Sequence, residues 1–361
     1  MDANKILNMA VELGASDIHL SVGTKPAFRI NGKLRHQNID DNEQLKILNR
    51  EDIMNIIREI MDEEQQLIWR KKGELDFSYS LSGVGRFRVN VYRQRGCPSL
   101  AIRPVPYEIP PLESLGVPEA IVNLMEKKNG LILVTGTTGS GKSTTLAALI
   151  NKVNMECEKH IITIEDPIEY LYQHKKSIVD QREVGSDTAT FAGALRACLR
   201  QDPDVILIGE LRDLETISTA ITAAETGHLV LATLHTNSAA QSIDRIIDIF
   251  PPNQQEQIKV QLASTLQGII TQQLLPRADG KGMVLASEIM ISIPAIRNLI
   301  REGKTHQIPT VLQTGTRWGM RTMDASLCEL VKSKIVSVDV AMNYTNDRDS
   351  FARLVNFYER Y

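Results

Sequence analysis

The residues with the clearest chemical potential form a glycine-rich octet. Positions 136–143 read Gly-Thr-Thr-Gly-Ser-Gly-Lys-Ser, which satisfies the pattern G-x-x-x-x-G-K-[ST] in full. The backbone N–H groups of such a loop surround anionic oxygens, and a helix that follows the loop adds partial positive charge. We therefore expect it to bind a nucleotide, with Lys142 on the β- and γ-phosphates and the Ser143 hydroxyl on Mg²⁺. The predicted binding residues are Gly136, Thr137, Thr138, Gly139, Ser140, Gly141, Lys142, Ser143 and Thr144.

Acidic and imidazole side chains adjoin three further apolar segments, each predicted to be a strand. They are Glu165, Glu210, His228 and His235, beside the segments 160–164, 205–208 and 229–234. Hydrolysis of ATP requires a metal ion and an oriented water molecule, and carboxylate oxygens can serve both. Glu165 and Glu210 are therefore candidates for these two tasks, with the division of roles left open. A histidine near the γ-phosphate could sense the third phosphate, which makes His228 and His235 candidates for that role.

Each of these residues has an ordinary structural explanation when it is taken alone. Carboxylates after strands often cap helices, and a lone histidine is more often a core or cap residue than a catalytic one. In a parallel α/β sheet, however, ligands gather at the carboxyl ends of the strands. The prediction of an ATP-hydrolysing site therefore rests on the joint occurrence of the loop, the acids and the histidines.

An arginine-rich segment, residues 86–103, supplies the next group of candidates. It holds five arginines and no acid, and alternation puts Arg86 and Arg88 on one face of a predicted strand. A solvated strand face and a nucleic-acid patch are alternative interpretations, although no aromatic side chains line the basic face for base stacking. The functional interpretation is that of arginine fingers, which stabilise transition-state charge. The sequence does not decide whether they act within one chain or on a neighbouring copy.

The elements that must position the loop follow an α/β pattern. Apolar strand segments alternate with helical patterns; they are 131–135, 160–164, 205–208 and 229–234. This alternation predicts a mostly parallel sheet covered by helices on both faces. The tail from Pro294 to Tyr361 is predicted to be largely helical, with breaks at Gly315 and Gly319.

The first part of the chain predicts a separate, smaller α+β domain. Short strand patterns flank a helical pattern over residues 50–69, and together they occupy residues 1–103. Residues 104–111 contain Pro104, Pro106, Pro110 and Pro111, which cannot form a helix interior and indicate an extended linker. We therefore expect domains at residues 1–103 and 112–361, joined by this linker.

Bulk composition limits the class of protein. The 361 residues carry a net charge of −3, which gives no overall attraction to nucleic acid or anionic membranes. The sequence contains no apolar stretch of bilayer length, and its first residues do not resemble a secretory signal. The four cysteines are scattered without a C-x-x-C pair, which disfavours a zinc site and suits a reducing compartment. We expect a cytoplasmic protein with no transmembrane segment.

The order of these groups resembles that of the secretion and pilus ATPase superfamily, and the resemblance covers nearly the whole chain. The stretches that carry it are A-S-D-I-H-L at 15–20, I-T-I-E-D-P-I-E-Y at 162–170, I-L-I-G-E-L-R-D at 206–213, G-H-L-V-L-A-T-L-H-T at 227–236 and A-I-R-N-L-I-R-E-G at 295–303. The last stretch resembles the one that sets retraction enzymes of type IV pili apart from assembly enzymes. The resemblance implies a RecA-like P-loop ATPase domain, a smaller PAS-like N-terminal domain and a homohexameric ring.

The resemblance also implies roles for individual residues. It assigns Lys142 and Ser143 to phosphate and Mg²⁺, Glu165 to the activation of water, and Glu210 to support of the metal. Both histidines are expected near the nucleotide, and Arg88 and Arg103 are expected to reach a neighbour's γ-phosphate. Roles for Arg86, Arg93 and Arg95 stay open.

The function that the resemblance implies is that of a hexameric ATPase motor for pilus retraction. Its expected partners are further copies of itself, the inner-membrane pilus platform protein and an accessory retraction ATPase, at the cytoplasmic face of the inner membrane. Assembly-type relatives usually carry a longer N-terminal region and a four-cysteine zinc site, and this sequence shows neither. Alternatives are an accessory retraction ATPase, a pilus-assembly or type II secretion ATPase, and a non-hydrolysing nucleotide-gated scaffold. A nucleic-acid translocase is disfavoured by the net charge.

Overall fold

The computed structural model describes residues 2–30, 32–36, 46–105, 108–345 and 348–359. The chain forms two compact units, residues 1–108 with 167–171 and residues 109–166 with 172–361. In the described residues, no helix is both long enough and apolar enough to cross a membrane.

The first unit contains a six-stranded antiparallel sheet with three helices. In chain order its elements are α1 (Ala3–Glu12), β1 (Asp17–Ser21), β2 (Ala27–Ile30), β3 (Lys33–Arg35), α2 (Arg50–Ile60), α3 (Glu63–Lys72), β4 (Glu74–Leu81), β5 (Gly85–Gln94) and β6 (Cys97–Val105). The strand order is β3-β2-β1-β6-β5-β4. Phe28 and Phe87 are fully buried in its core together with apolar residues of α1 and α2. One face of the sheet is thus covered, and alternation sends polar side chains to the other.

The helical pattern over residues 50–69 corresponds to two helices instead of one. Helix α2 ends at Ile60, and Asp62 caps α3 by accepting a hydrogen bond from Gln65 N at 2.8 Å. Gln65 Oε1 in turn accepts a hydrogen bond from Asp62 N at 3.2 Å, which completes a capping box. The apolar spacing continues across this local cap, so the pattern alone does not mark the boundary between the two helices.

Strand β6 extends into the segment that the sequence predicts as a linker. Pro104 pairs with Phe87 of β5, and the strand reaches Val105. Pro106 and Tyr107 lie outside the described residues. Proline is tolerated at this position because it lies near the end of β6, where the ladder of inter-strand hydrogen bonds ends.

The second unit is built on a seven-stranded mixed sheet. Its elements are α4 (Glu119–Val122), β7 (Gly130–Thr135), α5 (Lys142–Glu156), β8 (His160–Glu165), β9 (Ile178–Glu183), α6 (Phe191–Cys198), β10 (Val205–Ile208), α7 (Leu214–Glu225), β11 (Leu229–Leu234), α8 (Ala239–Asp248), α9 (Pro252–Thr265), β12 (Leu266–Pro276), β13 (Met283–Ile291), α10 (Pro294–Arg301), α11 (Ile308–Thr314), α12 (Met323–Lys332), α13 (Val338–Ala341) and α14 (Arg348–Glu359). Short 3₁₀ turns at Leu112–Leu115, Asn123–Glu126, Thr305–Gln307 and Thr316–Trp318 complete it.

The strand order β13-β12-β7-β11-β10-β8-β9 places the four predicted strands side by side. All neighbouring pairs are parallel except β12 with β13. The α/β fold class is confirmed, with an antiparallel edge strand added to a mostly parallel sheet. Because Thr135 pairs with Leu234, and Ile208 with Ile164, the carboxyl ends of these strands form one edge.

Helices dominate the C-terminal part of the second unit. This helical part begins with α10 at Pro294. Within it, Gly319 ends a 3₁₀ turn with a left-handed backbone at φ 76°. Tyr361 lies outside the described residues.

Candidate phosphate-binding site

The glycine-rich loop lies between β7 and α5, as its sequence predicts. Gly139 and Gly141 adopt positive φ angles of 82° and 87°, which L side chains rarely occupy. Lys142 is 8% exposed, and its Nζ donates to the carbonyl oxygens of Gly136 and Thr137, each at 2.9 Å. The lysine therefore closes the loop on itself and keeps its charge inside it.

Helix α5 begins without a side-chain cap. Its N-cap is Gly141, and no side chain accepts from its first N–H groups. The helices that follow neighbouring strands are capped in the usual way, by Thr190, Asp213 and Ser238. The first N–H groups and the helix dipole of this 15-residue helix instead favour an anion bound in the loop.

Gly136 lies where the loop packs too closely for a side chain. A Cβ at this position would overlap the carbonyl oxygen of Gln272 and lie 2.5 Å from Ser140 Oγ. We expect Gly136→Ala to abolish measurable nucleotide binding, because the loop must shift to relieve the overlap. Fluorescent-nucleotide titration would measure the loss. Gly280→Ala, at an open turn where φ is also positive, is the matched control; equal loss of binding in both variants would contradict the local explanation.

Glu165 ends β8 at the same edge of the sheet. The side chain is 9% exposed, and its Oε1 accepts from Thr163 Oγ1 at 2.6 Å and from Gln181 Nε2 at 3.3 Å. Thr163 lies two residues earlier on the same face of β8, and Gln181 is its register partner on β9. These two donors hold the carboxylate in one orientation, as a base that must point at a water molecule requires.

Glu210 follows β10 and joins two other predicted residues in a charged cluster. Its Oε2 accepts from Arg212 Nε at 2.7 Å, and its Oε1 lies 3.3 Å from His235 Nε2. Burial lowers the pKa of Lys142, and the charge of Glu210 opposes that shift. The interaction couples Glu210 electrostatically to the phosphate loop, so Glu210, His235 and Lys142 belong to one site.

The donor set suits Mg²⁺ held mainly by phosphate and water. Ser143, in the first turn of α5, is exposed. Glu210 contributes a carboxylate whose charge interacts with that of Lys142 in the loop. In the described ranges, no group of three or more His, Cys, Asp or Glu side chains could hold a metal by itself. Mg²⁺ normally takes one or two protein ligands and completes its shell with phosphate oxygens and water, so this sparse set fits.

His228 does not join this cluster within one chain. It precedes β11, where its carbonyl accepts from Gly130 N at 3.1 Å and its Nδ1 lies 3.0 Å from the Ala223 carbonyl. Gly130 begins β7, whereas the phosphate loop follows the other end of that strand, about 20 Å away for six extended residues. His228 therefore lies at the opposite edge of the sheet from the phosphate loop of its own chain, because residues that precede and follow one strand lie at opposite edges.

Arg88 and Arg103 lie on the polar face of the first unit's sheet, directly opposite each other on β5 and β6. Both are exposed, and Arg103 donates through Nε and Nη2 to Asp17 Oδ1 at 3.0 and 2.8 Å. Two positive charges directly opposite on a sheet repel each other and lower the stability of the fold, so the pair is not there to stabilise the sheet. Its arrangement suits a bound anion.

The sequence did not identify the residues that orient the candidates. They are Thr163, Gln181, Arg212 and Asp17. Alternation along β8 could have indicated Thr163, which shares a face with Glu165. Gln181 and Asp17 act from other strands, and no local signal marks them.

Comparison with known proteins identifies the family of this chain. The sequence profile of the type II/IV secretion system protein family matches residues 1–334. The chain belongs to this family. It is 44% identical to the type IV pilus retraction ATPase PilT of Pseudomonas aeruginosa, over 97% of this chain and 100% of that protein. It is 38% identical to the type IV pilus ATPase PilU of the same organism, over 98% and 91% of the two chains.

A solved member of the family has the same fold. The crystal structure of the pilus retraction motor PilT with bound ADP is 50% identical in sequence and superposes with a TM-score of 0.89, covering 98% of this chain and 99% of that one. The match spans both units, so the fold of each follows this family.

Proposed function

We propose that this chain is a hexameric ATPase motor that hydrolyses ATP to power the retraction of type IV pili. The observation that carries the proposal is the uncapped start of α5 beside Lys142, Glu210 and His235, with Glu165 held at the same sheet edge. The similarity to a pilus retraction ATPase, over 97% of this chain and 100% of that protein, supports pilus retraction as the process that the motor powers.

The chemistry follows from the site. The loop and Lys142 bind the β- and γ-phosphates of ATP. Ser143 and Glu210 would hold Mg²⁺, which would neutralise phosphate charge when bound. Glu165, oriented by Thr163, accepts a proton from the attacking water. His235, whose Nε2 lies 3.3 Å from Glu210 Oε1, senses the third phosphate.

The motor cycle requires a second copy of the chain. Arg88 and Arg103 of one copy close over the γ-phosphate bound by its neighbour. Hydrolysis then removes the negative charge that the two arginines bind. Movement of the N-terminal domain relative to the ATPase domain opens and closes this interface. His228, which lies far from its own loop, reaches nucleotide only at such an interface. Sequential closure around the ring turns the inner-membrane platform protein at the base of the pilus, at the cytoplasmic face.

Two measurements test this proposal. Purified protein should release phosphate from ATP at steady state; a chain that binds ATP without turnover would instead be a nucleotide-gated scaffold. Deletion of the gene should leave pili that accumulate on the cell surface, because assembly continues without withdrawal. Bald cells would indicate an assembly enzyme and would contradict retraction.

An accessory retraction ATPase is the second candidate, since the chain also resembles PilU over nearly its full length. The higher identity to PilT, 44% against 38%, favours the principal motor. Expression of this chain alone in cells that lack both retraction enzymes separates the two, because an accessory enzyme would not restore retraction by itself.

A further inference from the structure

A row of charged side chains crosses the polar face of the first unit's sheet. Arg88 on β5 is the direct partner of Arg103 on β6. The pairing of Ile18 with Ile102 extends this row to Asp17 on β1, and Asp17 is in turn the partner of Arg29 on β2. The row therefore reads Arg88, Arg103, Asp17, Arg29, with one carboxylate among three guanidinium groups.

Asp17 is the most buried member of this row. Its side chain is 19% exposed, against 65% for Arg103 and 40% for Arg29. Arg103 directs both Nε and Nη2 at Oδ1, while Oδ2 accepts from Ser16 Oγ at 3.0 Å and lies 3.8 Å from Arg29 Nε. The carboxylate is thus fixed from two sides, and it can fix Arg103 in turn.

The contact leaves part of Arg103 available. A guanidinium group offers five N–H donors in a rigid planar fork. Asp17 engages the Nε side, and Nη1 has no acceptor in the residues that the structure describes. The side chain of Arg88 likewise has no hydrogen bond or ion pair in the described ranges. Two sets of unused donors consequently lie side by side on the sheet.

We propose that Asp17 is a positioning residue for Arg103: it holds the guanidinium by its Nε side and presents the Nη1 side, next to Arg88, to the γ-phosphate of a neighbouring copy. The inference rests on the proposed trans action of the two arginines. Holding a long side chain in one rotamer removes most of the ordering cost at the moment of closure. The negative charge of Asp17 also reduces the repulsion between the arginines.

The electrostatics of Asp17 agree with this role. Burial would raise the pKa of Asp17, but hydrogen bonds from Arg103 and Ser16, with the charges of Arg103 and His19, hold the pKa below its usual range. The carboxylate therefore stays ionised at neutral pH and continues to accept hydrogen bonds from Arg103.

A double-mutant cycle on assembled rings tests the proposal. Asp17→Ala should lower kcat for ATP by about 10- to 100-fold, with KM nearly unchanged, because ground-state binding depends on the loop of the other copy. Asp17→Asn, which keeps the shape and an acceptor but loses the charge, should give a smaller loss. In an Arg103→Ala background, Asp17→Ala should cause no further loss, since its target is already absent.

Asp76→Asn is the matched control, because Asp76 lies on the same sheet and bonds Asn90 at 3.0 Å instead of an arginine. Equal losses from Asp17→Ala with and without Arg103 would overturn the proposal and show a purely structural role. A gain in turnover would overturn it differently, by showing that Asp17 competes with phosphate. If Arg103→Ala itself leaves kcat unchanged, the trans-arginine mechanism fails, whatever Asp17 does.

Discussion

Replacement of Arg88 by alanine is expected to lower the ATP turnover of the assembled ring by roughly three orders of magnitude or more. The side chain of Arg88 is exposed, has no hydrogen bond or ion pair in the described residues, and lies opposite a second arginine. Such a side chain contributes little to folding, so its loss should leave stability nearly unchanged. In the proposed mechanism, its charge stabilises the phosphoryl group in the transition state.

Steady-state phosphate release, measured on rings of verified mass, checks this expectation. Arg58→Gln removes an exposed arginine of the same unit, which pairs with Glu51 on helix α2, and should leave turnover near that of the wild type. Normal turnover by Arg88→Ala rings would contradict the role of arginine fingers. Loss of the ring itself would be detected by the mass measurement and attributed to assembly.

The second large effect concerns Glu165. Glu165→Gln should reduce turnover by about 10²- to 10⁴-fold, the usual contribution of a general base, while nucleotide binding persists. Glutamine preserves the volume of the side chain and an oxygen that can accept from Thr163 Oγ1, so the fold should tolerate it. Removal of the proton-accepting charge is then the main change.

Paired measurements of binding and turnover separate the two steps. Glu156→Gln, at the far end of α5 where Glu156 forms an exposed ion pair with Lys152, controls for the loss of one negative charge. Near-normal ATPase activity in Glu165→Gln would show that the base lies elsewhere, with Glu210 as the next candidate because of its electrostatic coupling to Lys142.

The phosphate loop was predictable because its signal is local. A fixed spacing of glycines, one lysine and one serine specifies strand, loop and helix start within a few residues. The four core strands were predictable for a related reason, since buried parallel strands are continuous apolar runs. Together they also predicted that Glu165, Glu210 and His235 would share one edge.

The failures have equally physical causes. His228 precedes β11, so the direction of that strand places it at the opposite edge of the sheet from the phosphate loop, which a motif alone does not indicate. Strand β6 was not recognised, because Pro98 and Pro104 interrupt the usual strand composition. Its pairing with β5 places Arg103 beside Arg88, and 86 residues of chain separate Arg103 from Asp17. Contacts between distant strands leave no trace in local spacing.

The central claim is that one copy's nucleotide is hydrolysed with the arginines of another, and mixed rings test it most directly. One variant lacks Lys142, the other lacks Arg88 and Arg103, and each alone should be inactive. Co-assembled at equal ratio, about a quarter of the interfaces in a ring join an intact loop to intact arginines, and turnover should return in proportion. Absence of any recovery in rings shown to contain both variants would contradict the claim.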